Sequence, residues 1–162
     1  MNNYKSMIVT DLSVAESVAK KAFASTTDSD ISQWLSFDVM HKIIAEDRGV
    51  CLLALDGIKY SIGMIYAQQE NPVNGLEGTE KWVIVILAVD PDLKGKGIGS
   101  FLLNEMEGEL KNRGAKKFFV YTNKDDEDIV SFYKKNGFID AGWIKDYQYG
   151  KNNSAVFLLK YL

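Results

Sequence analysis

Apolar residues change their spacing along this chain, and those changes mark its elements. "KSMIVTD" (5–11) is a short strand-like run that ends in helix-capping residues. Beyond it Ala15, Val18, Ala19, Ala22 and Phe23 recur at the three- and four-residue spacing of one helix face. Thr10 or Asp11 is placed to cap that helix, and Ser13 with Glu16 has capping-box spacing. After "STTDSD" a second helical segment is predicted roughly from Ser36 to Asp47. "VCLLALDGIKYSIGMIYAQQ" (50–69) reads as two strands joined at Asp56-Gly57, since glycine accepts the positive φ of a tight hairpin. A loop from Asn71 to Lys81 follows.

"WVIVILAV" (82–89) is apolar at every residue, as expected of a strand covered on both faces. The next periodic stretch puts Leu102, Leu103, Met106 and Leu110 on one stripe, opposite Asn104 and Lys111, and stops at Arg113-Gly114. "KKFFVYT" (116–122) is the next strand, and a helix from Asp128 to Lys135 ends at Asn136-Gly137. Two more strand candidates close the chain. A strand, helix, strand sequence of this length implies a right-handed crossover between parallel neighbours. The pattern therefore predicts a mixed α/β fold ordered strand, two helices, three strands, helix, strand, helix and a closing pair.

Composition narrows this picture. The 162 residues are 46% hydrophobic and 25% charged, enough for one globular domain over 1–162 with its own core. The longest apolar run is too short for a membrane span. The start "MNNYKSMIV" lacks a signal-peptide layout, so the mature chain is expected to begin near Met1. Cys51 is the only cysteine, which rules out an internal disulfide and suits a reducing cytoplasm. One histidine beside it argues against a structural metal site. With interspersed charges and a net charge of −3, no nucleic-acid partner is expected.

The stretch "AVDPDLKGKGIGSFLL" (88–103) carries the chemistry. It follows a buried strand and opens a helix, at the strand end where α/β sheets bind ligands. Glycines let backbone N–H groups approach a bulky anion, and the helix adds its unpaired N–H groups and positive dipole end. Lys94 and Lys96 add charge, so the loop reads as a cradle for a diphosphate. Two nucleotide motifs do not fit: no Gly-Lys-Ser/Thr follows Gly95 at phosphate-loop spacing, and Ser100 stands where the dinucleotide pattern needs its third glycine.

The loop Lys94-Gly95-Lys96-Gly97-Ile98-Gly99 resembles the acetyl-CoA signature Arg/Gln-x-x-Gly-x-Gly/Ala of the GNAT superfamily of N-acetyltransferases. Downstream, "DEDIVSFYKKNGF" (126–138) is similar to that family's Asn-x-x-Ala-x-x-Phe-Tyr-x-x-x-Gly-Phe segment. The resemblance implies a central, mostly antiparallel mixed sheet flanked by helices, with a parallel fourth and fifth strand splayed around the cofactor. It implies acetyl-CoA as co-substrate, with the acetyl group passing directly to a primary amine in a ternary complex and CoA as product. Leu87, Ala88 and Val89 would hold the pantetheine and acetyl carbonyl through their backbone. The N–H groups of Gly95, Lys96, Gly97, Ile98, Gly99 and Ser100 would hold the diphosphate. Phe132 and Tyr133 fall in the cofactor segment, with Tyr133 at the position of the acid that protonates the departing thiolate. Lys94 replaces the usual Arg or Gln and so lacks a forked guanidinium. Asp126 replaces the usual Asn, with Asn123 three residues earlier, which leaves open which of them meets the pantetheine arm.

An alkyl amine is mostly protonated at neutral pH, so the reaction needs a base before attack. The strand 82–89 has no ionisable residue, which leaves Glu70, Glu80 and Asp90 at strand ends, with Glu80 carried forward as base. The absent strand acid also suits an alternative, a non-catalytic acyl-CoA-binding sensor. The resemblance also implies that the segment joining the first two helices, "ASTTDSDISQWLSFD" (24–38), forms the acceptor wall. Asp28, Asp30, Trp34 and Asp38 there suit a cationic amine of a small molecule or peptide. A homodimer is left open.

Overall fold

A computed structural model describes residues 4–26, 30–57, 60–70, 80–148 and 152–162. In chain order the elements are β1 (Tyr4–Val9), α1 (Ser13–Phe23), a 3-10 turn (Ile31–Gln33), α2 (Phe37–Ala45), β2 (Gly49–Asp56) and β3 (Tyr60–Gln69). There follow β4 (Lys81–Val89), a 3-10 turn (Pro91–Leu93), α3 (Ile98–Asn112), β5 (Lys117–Asn123), α4 (Glu127–Lys135), β6 (Ile139–Ile144) and β7 (Ala155–Tyr161). This is the order that the hydrophobic pattern predicts. Asp28 and most of the loop expected at Asn71–Lys81 lie outside the described residues.

Local chemistry sets the helix ends. Leu12 occupies the N-cap of α1 without a side-chain bond, while the Asp11 carboxylate accepts the Ser13 N–H at 2.9 Å. The Ser13–Glu16 capping box therefore does not form, because Ser13 is already helical; Glu16 instead pairs with Lys20 at 2.6 Å. Ser36 caps α2 by accepting the Val39 N–H, and the helix stops before Asp47, which has φ +57°. Asp126 caps α4 by accepting the Ile129 N–H at 3.1 Å. Gly114, at φ +80°, closes α3, with the Ala115 N–H on the Leu110 carbonyl at 3.0 Å.

The seven strands form one sheet in the order β1-β2-β3-β4-β5-β7-β6. The pairs β1–β2, β2–β3, β5–β7 and β6–β7 are antiparallel, and β4–β5 is parallel. Bonds at opposite ends make β3–β4 antiparallel as well: Asp90 N–H to Ile62 C=O and Glu70 N–H to Lys81 C=O. On β4 only Trp82, Ile84, Ile86 and Ala88 are buried, while Val83, Val85, Leu87 and Val89 are half-buried. The strand thus has one fully covered face rather than the two expected.

The chain divides into two compact units, Met1–Gln69 with Ile84–Glu109 and Glu70–Val83 with Leu110–Leu162. In the first, Ala15, Val18 and Ala19 of α1 and Met40 of α2 pack with Cys51, Leu53, Met64 and Ile86 of the sheet. Burial of each large side chain contributes about 1.5–3 kcal/mol, which offsets the loss of chain entropy. In the second, Phe118 of β5 meets Phe138 edge-on at 4.9 Å, and Trp82 lies opposite Phe118 in the parallel ladder.

Candidate active site

In the first unit β4 passes through a short 3-10 turn into the glycine loop. Asp90 caps this turn, accepting the Asp92 N–H at 3.1 Å, and Lys21 of α1 holds its other carboxylate oxygen at 2.6 Å. The lysine also reaches Asp92 at 3.4 Å. These bonds, led by the one from Lys21, hold the Asp90 carboxyl below the usual range, which makes Asp90 a poor base. Lys94, Gly95, Lys96 and Gly97 are exposed, and buried Ile98 anchors the start of α3.

Gly95 and Gly97 have φ of +80° and +81°, and a Cβ added to either would meet nothing within 4 Å. The loop is thus a left-handed backbone beside open space, as a cradle for a bulky anion requires. The first bond of α3 runs from the Phe101 N–H to the Gly97 carbonyl at 2.9 Å. The N–H groups of Ile98, Gly99 and Ser100 therefore have no intrahelical acceptor and sit at the positive end of the dipole.

The three residues at the end of β4 divide by alternation. Asp90 bonds back to β3, and the Ala88 carbonyl lies on that side too, 3.1 Å from where a Gly63 Cβ would stand. Alternation therefore turns the backbone N–H and C=O of Leu87 and Val89 toward the opposite edge of β4. The ladder to β5 joins Lys81–Val83 to Lys117–Phe119, and β4 runs on to Val89. Leu87 and Val89, rather than Ala88, present strand-type hydrogen-bonding groups.

In the second unit Tyr133 is 5% exposed. Its ring meets Phe132 at 5.1 Å and Phe138 at 5.2 Å. Burial raises the pKa of its hydroxyl, so the phenol stays protonated across the ordinary pH range. The Asp126 side chain is engaged as the α4 cap, and Asn123 accepts the Asp125 N–H at 2.9 Å. Glu80 is exposed and its backbone carbonyl accepts the Lys116 N–H at 2.9 Å. Glu70 is engaged by Lys81 at 2.7 Å.

Asp30 and Trp34 flank the 3-10 turn before α2. Asp30 accepts hydrogen bonds from Ser32 at 2.5 Å and Gln33 at 3.0 Å, which hold its carboxyl below the usual range. Trp34 is 43% exposed with its ring edge-on to Phe23 at 5.3 Å, and Asp38 is exposed in the first turn of α2. The sequence pattern did not single out Lys21, whose partner lies 69 residues away. Nor did it mark the ring cluster of Tyr121, Tyr147 and Phe157, although the alternation in "KFFVYTN" (117–123) puts Phe119 and Tyr121 on one strand face. Among the described residues no group of His, Cys, Asp and Glu could hold a metal ion, and no helix is long and apolar enough to cross a membrane.

Known proteins share the family pattern and the fold of this chain. The sequence pattern of the acetyltransferase (GNAT) family matches residues 13–138. N-alpha-acetyltransferase 30 of Schizosaccharomyces pombe is 26% identical over 137 residues, covering 85% of this chain and 87% of that protein. An uncharacterized N-acetyltransferase of Methanocaldococcus jannaschii is 30% identical over 79 residues, which span 46% of this chain and only 35% of that protein. Among solved structures, a GNAT family acetyltransferase from Elizabethkingia anophelis with acetyl-CoA bound superposes with a TM-score of 0.71 at 19% identity, each chain covered fully. A Bacillus subtilis acetyltransferase in complex with CoA gives 0.71 at 17% identity, with 99% of each chain covered. The glycine loop that opens α3 lies within the matched residues, and the chain belongs to the GNAT family of acetyltransferases.

Proposed function

We propose that this chain moves the acetyl group of acetyl-CoA to a primary amine of a small molecule or peptide, by direct attack in a ternary complex. The observation that carries this reading is the loop at Gly95 and Gly97, where positive φ and open space beside both glycines precede the start of α3. The N–H groups of Gly95 to Ser100 would hold the diphosphate, with Lys94 and Lys96 adding charge. Leu87 and Val89 would hold the pantetheine by strand-type bonds. Acetyl-CoA, when bound, supplies an activated thioester. On this reading the amine nitrogen bonds to the acetyl carbon as the carbon–sulfur bond breaks. A base takes the amine proton, and the Tyr133 hydroxyl gives its proton to the sulfur. Glu80 is the remaining candidate base, since Asp90 and Glu70 are ion-paired.

The scarcity of a base supports a second reading, an acyl-CoA-binding sensor without turnover. One experiment separates the readings. Acetyl-CoA at 100 times its dissociation constant should stabilise the fold by about 2.7 kcal/mol, seen as a rise in Tm that ATP does not give. Release of free CoA thiol is then followed with polyamines, aminoglycosides and peptides bearing free N-termini. A rise in Tm with turnover of an amine supports transfer, and a rise without turnover of any of these supports the sensor. No rise with acetyl-CoA or CoA overturns both.

A further inference from the structure

Nothing in the glycine loop's own sequence decides which way its central peptide faces. Gly97 adopts φ +81°, but glycine takes positive and negative φ about equally well. The Lys96–Gly97 peptide is therefore free to turn over unless an outside group holds it. One such group is on β1, where the Tyr4 hydroxyl donates to the Lys96 carbonyl at 3.0 Å, across 92 residues of sequence. The Tyr4 ring is itself held against Phe101 of α3, centroids 5.7 Å apart.

A trans peptide is planar, with its C=O and N–H pointing in opposite directions. Holding the Lys96 carbonyl on Tyr4 therefore turns the Gly97 N–H away from β1. If the peptide turned over, a carbonyl oxygen would stand where that N–H now points and would repel an anion. We propose that Tyr4 is a positioning residue for the diphosphate cradle: its hydroxyl fixes the Lys96–Gly97 peptide so that the Gly97 N–H faces the bound anion. This inference rests on the acetyl-CoA reading and adds to it a residue outside the glycine motif.

Tyr4→Phe removes the hydroxyl and keeps the ring on Phe101. CoA binding is read by calorimetry, and binding of pantetheine, which lacks the diphosphate, by magnetic-resonance titration. Loss of the hydrogen bond that holds the peptide should weaken CoA about fivefold, with pantetheine affinity nearly unchanged. Unchanged CoA affinity, or equal loss for both ligands, overturns the proposal, the latter because the hydroxyl would then only support the fold. A second measurement needs no variant: in the wild-type protein the Gly97 amide resonance should shift with CoA and not with pantetheine. Its staying put with CoA also overturns the proposal. Wild-type protein that binds no CoA sinks the acetyl-CoA reading itself, whereas wild-type binding that Tyr4→Phe leaves intact sinks only the role of Tyr4.

Discussion

Tyr133 carries a hydroxyl that packing alone does not require, since its ring is enclosed by Phe132 and Phe138 and phenylalanine would fill the same space. Tyr133→Phe should therefore leave CoA affinity within about twofold while kcat falls by ~10²–10⁴, the usual worth of general acid catalysis. Calorimetry reads the affinity and steady-state kinetics with a viscosity control reads kcat; a wild-type kcat would leave Tyr133 a packing residue. At Gly97 the argument is backbone. A valine there meets no protein atom within 4 Å of its Cβ but must hold φ +81°, a strain of about 1–3 kcal/mol. Gly57, at φ +58° and equally open, provides the control. Both Gly→Val variants should lose comparable stability in denaturant melts, and Gly97→Val alone should lose CoA affinity, by more than about tenfold. The glycines and lysines of this loop were legible in the sequence because their spacing is local. The Lys21–Asp90 pair was not, because only folding brings its partners to 2.6 Å.

At the scale of elements, α3 depends on a close approach to β3. A Cβ at Gly63 would stand 3.0 Å from Ile98 Cγ2 and from Leu102 Cδ1, and 3.1 Å from the Ala88 carbonyl oxygen. The two side-chain ends can yield, but the backbone carbonyl cannot. Gly63→Val should therefore cost about 1–3 kcal/mol of stability by overpacking, with Gly63→Ala costing less, both measured by urea denaturation. If Gly63→Val is neutral, α3 is not seated on β3 as described. The helices themselves were readable from apolar spacing and capping residues, within one or two positions at each end. The place of β7 was not: it lies between β5 and β6, paired with both along nearly its whole length. Strand order follows from which edges remain free once local elements have formed, and no local pattern encodes it.

At the scale of the whole molecule, Cys51 is a built-in reporter. It is fully buried in β2, and burial pushes its thiol up to about 12, so folded protein should react slowly with thiol reagents. Labelling then requires an opening that releases the cofactor. Acetyl-CoA at 100 times its dissociation constant should slow it about hundredfold, the kinetic counterpart of a 2.7 kcal/mol stabilisation. A labelling rate that ligand leaves unchanged would show that β2 opens without disturbing the cradle.

By itself the sequence determined the kind and order of the elements, the parallel step around α3 and the glycine loop with its cations. Each of these is a matter of periodicity, turn chemistry or spacing within a few residues. The tertiary structure decided which groups those residues serve. It assigned Asp126 to a helix cap, tied Asp90 to Lys21 and Glu70 to Lys81, and turned the backbone groups of Leu87 and Val89 away from β3. It also brought Tyr4 to the carbonyl of Lys96. The physical reason is that a hydrogen bond or ion pair depends on distance and direction in space, and for partners far apart in the chain those are set only when the sheet and its helices have packed.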